Sequence, residues 1–133
     1  MTTYVLATND VHTSAALCDY LDDRLDEDDE VHAVNSLPGG DETDSDEVRD
    51  GEDALNAVRT RLGATATVET HQLIRGNDVA DDLLDHADET GADELVIGVR
   101  KRNPTAKVVF GSNAQQILLQ TNLPTVVVPL EEV

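Results

Sequence analysis

Five short apolar, β-prone blocks alternate along this chain with four segments whose apolar residues recur at helical spacing, and that rhythm narrows the fold more than any other feature. Tyr4-Val5-Leu6-Ala7, Val31-His32-Ala33-Val34, residues 65–73, Leu95-Val96-Ile97 and Thr125-Val126-Val127-Val128 read as strands. Leu17, Cys18, Leu21 and Leu25 mark a first helix with Ser14 as N-cap, and Leu55, Val58 and Leu62 a second, stopped by Gly63. Val79, Leu83, Leu84 and Ala87 mark a third, ending near Gly91, and Ala114, Ile117 and Leu118 a fourth. Between the second strand and second helix, residues 36–53 hold Pro38-Gly39-Gly40 and an acidic run from Asp41 to Asp53, and read as an exposed loop. Strands apolar on both faces and separated by helices imply a parallel sheet covered on both sides. Right-handed crossovers then give an α/β fold, an open doubly wound five-stranded sheet formed by one domain over residues 1–133. Ligands of such sheets bind beyond the carboxyl ends of the strands, where the strand order reverses.

Charge limits the partners. The 133 residues carry 28 acids against 9 bases, a formal charge of −19, which repels nucleic acid and anionic lipid. Only two of the bases, Lys101 and Lys107, are lysines, and acids are spread along the whole chain. Such a surface suits a cytoplasm of molar salt, where a Debye length of roughly 3 Å screens self-repulsion. No apolar run approaches the roughly 18 residues of a membrane span, and the start of the chain has no signal-peptide core. The lone Cys18 closes no disulfide within the chain. A cytoplasmic location is expected.

The segment from Gly98 to Asn113 is the most informative. Gly111-Ser112 opens a helix, where free backbone N–H groups and the helix dipole favour an anion. Ser112 adds a hydroxyl, and Gly98 and Gly111 let a ligand approach the backbone. Arg100, Lys101, Arg102 and Lys107, four of the 9 bases, fall within the eight positions 100–107. The basic stretch either binds phosphate or pairs with carboxylates such as those of the acidic loop.

Gly98, two residues, Lys101, nine residues and then Gly111-Ser112 resemble the signature of the universal stress proteins, which runs glycine, two residues, glycine, nine residues, and glycine followed by Ser or Thr. The resemblance extends to Tyr4–Ser14 as opening strand and loop, to Val31–Val34, to Gly76–Gly98 and to Leu123–Val128. It implies a Rossmann-like sheet of the adenine nucleotide alpha hydrolase type and a homodimer built through the last strand, Thr125, Val126, Val127 and Val128. For one branch of the family it implies ATP or AMP binding, with or without Mg. Adenine would lie on the backbone of the second strand at Ala33, with Thr8, Asn9 and Asp10 after the first strand near the nucleotide. The phosphates would rest on Gly98, Arg100, Lys101, Gly111, Ser112 and Asn113.

Two positions depart from the family pattern. Lys101 replaces the second signature glycine, so it either fills the phosphate space or sets an ammonium on the phosphates. Asn9 stands where the family has an acid, with Asp10 beside it; Asn9 hydrogen-bonds a ribose hydroxyl without charge and gives a metal no carboxylate. The resemblance therefore implies an adenine-nucleotide sensor or regulator in stress response. The alternative is a nucleotide-free dimer acting as a protein-interaction module, and a third reading is an ATP-using enzyme.

The remaining reactive side chains suggest no chemistry. Cys18 falls on an apolar helical stripe and reads as a buried structural thiol. His12, His32, His71 and His86 lie in separate elements without ligand spacing, so no metal site is expected; His12, near the ligand end, is solvent-exposed or touches the nucleotide. The acidic run lacks the pattern of a calcium loop. No nucleophile elbow, zinc helix or P-loop is present, so no catalytic residue is expected. Were ATP slowly hydrolysed, Asp10 would be the only base to name.

Overall fold

The structure, a computed structural model, describes residues 1–37, 39, 43–74, 76, 78–100 and 112–130. Five strands and four helices alternate: β1 Thr3–Ala7, α1 Val11–Asp22, β2 Glu30–Leu37, α2 Ser45–Leu62, β3 Thr67–Ile74, α3 Val79–Thr90, β4 Glu94–Arg100, α4 Ser112–Gln120 and β5 Thr125–Leu130. The strands form one sheet in the order β3-β2-β1-β4-β5, every neighbouring pair parallel. The order reverses between β1 and β4. The chain first winds outward through β2 to β3, then crosses back to β4 and on to β5.

That reversal distributes the helices. With right-handed crossovers a change of direction puts the later helices on the opposite face, and the core divides accordingly. On one face Tyr4, Leu6, Val31, Ala33 and Val96 pack against Leu17, Cys18 and Leu21 of α1 and Leu55, Val58 and Leu62 of α2. On the other, Val5, Val34, Leu73, Leu95 and Ile97 meet Ala80, Leu83 and Ala87 of α3 and Ile117 of α4. Successive strand residues thus serve opposite layers, so each central strand is apolar on both sides.

Several boundaries differ from the sequence expectation. Helix α2 starts at Ser45, inside the acidic run read as loop. Asp44 caps it, its side chain accepting from the Glu47 N–H at 2.8 Å, and Asp46 and Glu47 in the first turn complement the helix dipole, as Arg59 and Arg61 do in the last. Acids at that density suit a helix start. The buried stripe extends N-terminally to Gly51, which presents no apolar side chain to reveal it. Strand β2 runs on to Leu37 because Asn35 and Ser36, both buried, are hydrogen-bonded to Gln72 at 2.8 Å and Asp82 at 3.0 Å.

Helix α1 begins at Val11 with Asp10, not Ser14, as N-cap; the Asp10 carboxylate accepts from the Thr13 N–H at 2.7 Å. Strand β3 starts two residues later than read, at Thr67. Strand β4 passes through Gly98 to Arg100, and β5 passes through Pro129 to Leu130. Pro129 is tolerated there because β5 is an edge strand with β4 as its single neighbour, so its missing N–H breaks no second ladder. Gly63 and Gly91 cap α2 and α3 as expected. Among the described residues no helix is long and apolar enough to cross a membrane.

Candidate functional site

At the carboxyl ends of the strands a cleft of about 660 Å³ opens where the strand order reverses. Its floor is Ala7 and Thr8 from the end of β1, Val34 to Leu37 from β2, and Ile97 to Arg100 from β4. Glu47 of α2, Val79 and Leu83 of α3, Asn113, Ala114 and Ile117 of α4, and Leu130 of β5 form the walls. Apolar walls with a few polar groups, in a volume between about 300 and 1,000 Å³, are what small-molecule sites present.

Each polar group on the β1 side is held from behind. Thr8 N–H donates to the Val34 carbonyl at 3.0 Å, carrying the β1–β2 ladder one residue past the strand. The hydroxyls of Thr8 and Ser14 are 2.7 Å apart, and Ser14 donates to the Ala54 carbonyl at 2.7 Å. Thr8 Oγ1 also donates to the Asp10 carbonyl at 3.1 Å, so with the Ser14 proton committed to Ala54 the one Thr8 proton is shared between Asp10 and Ser14. This buried chain ties the end of β1 through α1 to α2. Asn9 is exposed at the cleft, while Asp10, beside it, caps α1.

The charges at the site partly cancel. Arg100 Nη2 donates to Asp10 Oδ2 at 2.8 Å. Burial pushes the Asp10 carboxyl upward, but hydrogen bonds from Thr13 and the charges of Arg100 and His12 outweigh it and leave the group below its usual range. Arg100 is thus paired with a carboxylate, though with the one after β1 rather than with the acidic run. The starts of α1 and α4 offer favourable ends to an anion, but that of α1 is already met by Asp10. Glu47 adds a negative charge to the rim.

Of the expected nucleotide residues, Thr8, Asn9, Gly98, Arg100 and Asn113 all line this cleft, and Ser112 begins α4 beside it. Lys101 and Gly111 lie outside the described residues, as do Arg102 and Lys107. Ala33 does not line the cleft: its side chain is fully buried in the α1–α2 layer, and the contribution of β2 begins one residue later, at Val34. Gly98 has a close neighbour of its own, since a Cβ there would come within 3.1 Å of the Leu130 side chain. Val34 to Leu37, Glu47, Val79, Leu83 and Leu130 were not legible as site residues; only the strand order brings them to one place.

The other reactive side chains fall into two groups. Cys18 is buried, and that burial pushes its thiol up to about 11, so it is inert. His12 is exposed in the first turn of α1. The other three histidines, separate in sequence, come together under α3: His71 lies 3.1 Å from His32, ring nitrogen to ring nitrogen, and its ring is 4.3 Å from that of His86 between centroids. Burial first, then His32, lowers the His71 imidazole below its ordinary value.

An open, wholly parallel α/β sheet with a ligand-sized cleft at its switch point defines a small-molecule-binding domain of doubly wound type. The family model for the universal stress protein family matches residues 4–129. The chain belongs to that family. A universal stress protein of Mycolicibacterium smegmatis is 43% identical over 53 residues, a stretch that spans 40% of this chain and 41% of that curated relative. The structure of a universal stress protein from Archaeoglobus fulgidus has a TM-score of 0.79 at 30% identity, covering 96% of this chain and 98% of that one. The Archaeoglobus fulgidus universal stress protein in complex with dAMP gives 0.72 at 26% identity, again covering 96% and 98%.

Proposed function

We propose that this protein binds an adenine nucleotide, ATP or AMP, in the cleft at the carboxyl ends of β1, β2 and β4, and acts as a sensor or regulator rather than a catalyst. The observation that carries the reading is the cleft of about 660 Å³ at the strand-order reversal, flanked by the start of α4 and by Arg100. The dAMP complex of the Archaeoglobus fulgidus relative supports it. The base would lie against Val34 to Leu37 and Leu83, and the phosphates toward Gly98, Arg100, Ser112 and Asn113, with Lys101 and Gly111 in the segment between. Asp10 is engaged as a helix cap and ion-pair partner, which leaves it a poor general base and supports the non-catalytic reading.

Denaturing freshly purified protein from molar KCl and separating the released small molecules tests the proposal. Adenine nucleotide near one per chain, or a dissociation constant for ATP or AMP measured by calorimetry, is the expected result. Arg100→Ala should weaken binding about tenfold or more, the worth of a charge-assisted hydrogen bond. Empty protein with no thermal shift on adding Mg-ATP would refute it. That result would favour the interaction-module reading, for which the Asp10–Arg100 pair and the Glu47 rim charge speak. A dimer through β5 is part of the same proposal: the strand is an edge, and Val126, Val127 and Val128 are half-buried on it. A monomer by sedimentation in molar KCl would remove that part.

A further inference from the structure

The histidine cluster is built from a repeat that the fold superposes. Glu30-Val31-His32 on β2 and Glu69-Thr70-His71 on β3 are both Glu-x-His, and residues two apart on a strand share a face. The parallel register pairs His32 with Glu69 and Val34 with His71, so all four side chains point to the face covered by α3. His86 of α3, buried, is laid over them. One ring nitrogen from each of His32, His71 and His86 lies within 4.8 Å of the other two.

The hydrogen bonds assign the protons. Glu30 Oε1 is 2.9 Å from His32 Nε2, and a carboxylate only accepts, so Nε2 carries the proton. His32 Nδ1 then presents a lone pair, with His71 Nε2 at 3.1 Å and Glu69 Oε2 at 3.4 Å. A proton donated by His71 satisfies that lone pair, and a cation among these groups satisfies it equally. Two ligands about 2.0–2.1 Å from one tetrahedral metal are roughly 3.3 Å apart, and the His32–His71 separation is close to that figure. A carboxylate on the far nitrogen of a ligating histidine is also the arrangement that fixes its tautomer and ring orientation.

We propose that His32, His71 and His86, with Glu30 as the positioning residue for His32, form a site for one divalent transition-metal ion of the zinc class. Three imidazole nitrogens select such ions over magnesium or calcium, which take oxygen ligands. The ion enters from the sheet edge, because β3 is the outermost strand, Glu69 is exposed and His71 only half-buried.

The test titrates cobalt(II) chloride into the full chain, freed of metal by chelator and kept in molar KCl, while the visible spectrum is recorded. One equivalent per chain with the intense bands of tetrahedral cobalt, bleached by added zinc chloride, is the expected result. His71→Ala, at a half-buried edge position where the fold should survive by circular dichroism, should weaken cobalt binding at least about 100-fold. Glu30→Gln should weaken it about 10- to 100-fold while leaving the spectrum tetrahedral. Equal binding by wild type and His71→Ala, or only the weak bands of octahedral cobalt, would overturn the proposal and leave the cluster a hydrogen-bonded histidine stack.

Discussion

Arg100 Nη2 donates to Asp10 Oδ2 at 2.8 Å, joining the last residue of β4 to the N-cap of α1 across a separation of 90 residues. Among the described residues, the cation lining the cleft is thereby held by an internal carboxylate. Asp10→Asn removes the charge and keeps a good cap, since Asn and Asp are near-equivalent there. The pair is partly exposed and worth at most about 1 kcal/mol, so ATP affinity should rise roughly two- to tenfold at low ionic strength. The gain should shrink in molar KCl, where screening leaves only contact-range interactions. Calorimetry at the two salt levels checks both; unchanged affinity in dilute salt would show that Arg100 does not reach the nucleotide.

The same carboxylate has a pH signature. Its folded value lies below the unfolded one, because the Thr13 hydrogen bonds, Arg100 and His12 outweigh its burial. A depressed carboxylate contributes stability that is fully present above the unfolded value, about 3.9, and is lost as pH falls through the folded value. Protonation of the many other acids also relieves repulsion as the pH drops, so the wild-type profile alone is ambiguous. The difference between wild type and Asp10→Asn isolates the group. Urea midpoints should favour wild type above about pH 4, and that advantage should vanish in stronger acid.

Ser14→Ala should be costly for so small a change. Ser14 is fully buried and bridges Thr8 to the Ala54 carbonyl. Its loss breaks both bonds, although the Ala54 carbonyl keeps its partner within α2 and Thr8 keeps the Asp10 carbonyl, a penalty of about 1–2 kcal/mol. A lower melting temperature, with faster hydrogen exchange at Thr8, is the expected observation. Stability within experimental error of wild type would mean that water replaces the hydroxyl.

What the sequence revealed follows from which interactions are local. Leu95-Val96-Ile97 and Thr125 to Val128 were legible because strands covered by helices need continuous apolar residues, and the end of α3 because Gly91 caps it. A cleft at the carboxyl ends of the strands was legible from topology alone, and five expected residues line it. Three features depended on distant partners. Asn35 and Ser36 look like loop residues until Gln72 and Asp82 satisfy them. The Asp10–Arg100 pair is invisible in the sequence because 90 residues separate its partners. The paired Glu-x-His triplets are only two tripeptide coincidences until the β2–β3 register aligns them.

Gly51 is another residue whose role depends on distant contacts. It faces the sheet from α2, and a Cβ there would fall well inside van der Waals contact with the side-chain amides of both Asn35 and Gln72. Those amides are not free to retreat: Asn35 Nδ2 donates to Gln72 Oε1 at 2.8 Å, and Gln72 Nε2 donates to the Val48 carbonyl at 2.9 Å. In an exposed helix interior Gly→Ala gains up to about 1 kcal/mol. Here that gain is set against overpacking of about 1–3 kcal/mol and the loss of one or both amide bonds. Gly51→Ala should therefore be destabilising by roughly 1–2 kcal/mol, read as a lower urea midpoint. Because Asn35 also lines the cleft, ligand affinity should fall in the same variant. A Gly51→Ala protein more stable than wild type would mean that the amide pair yields to the methyl group and that α2 is not fixed to the sheet at this point.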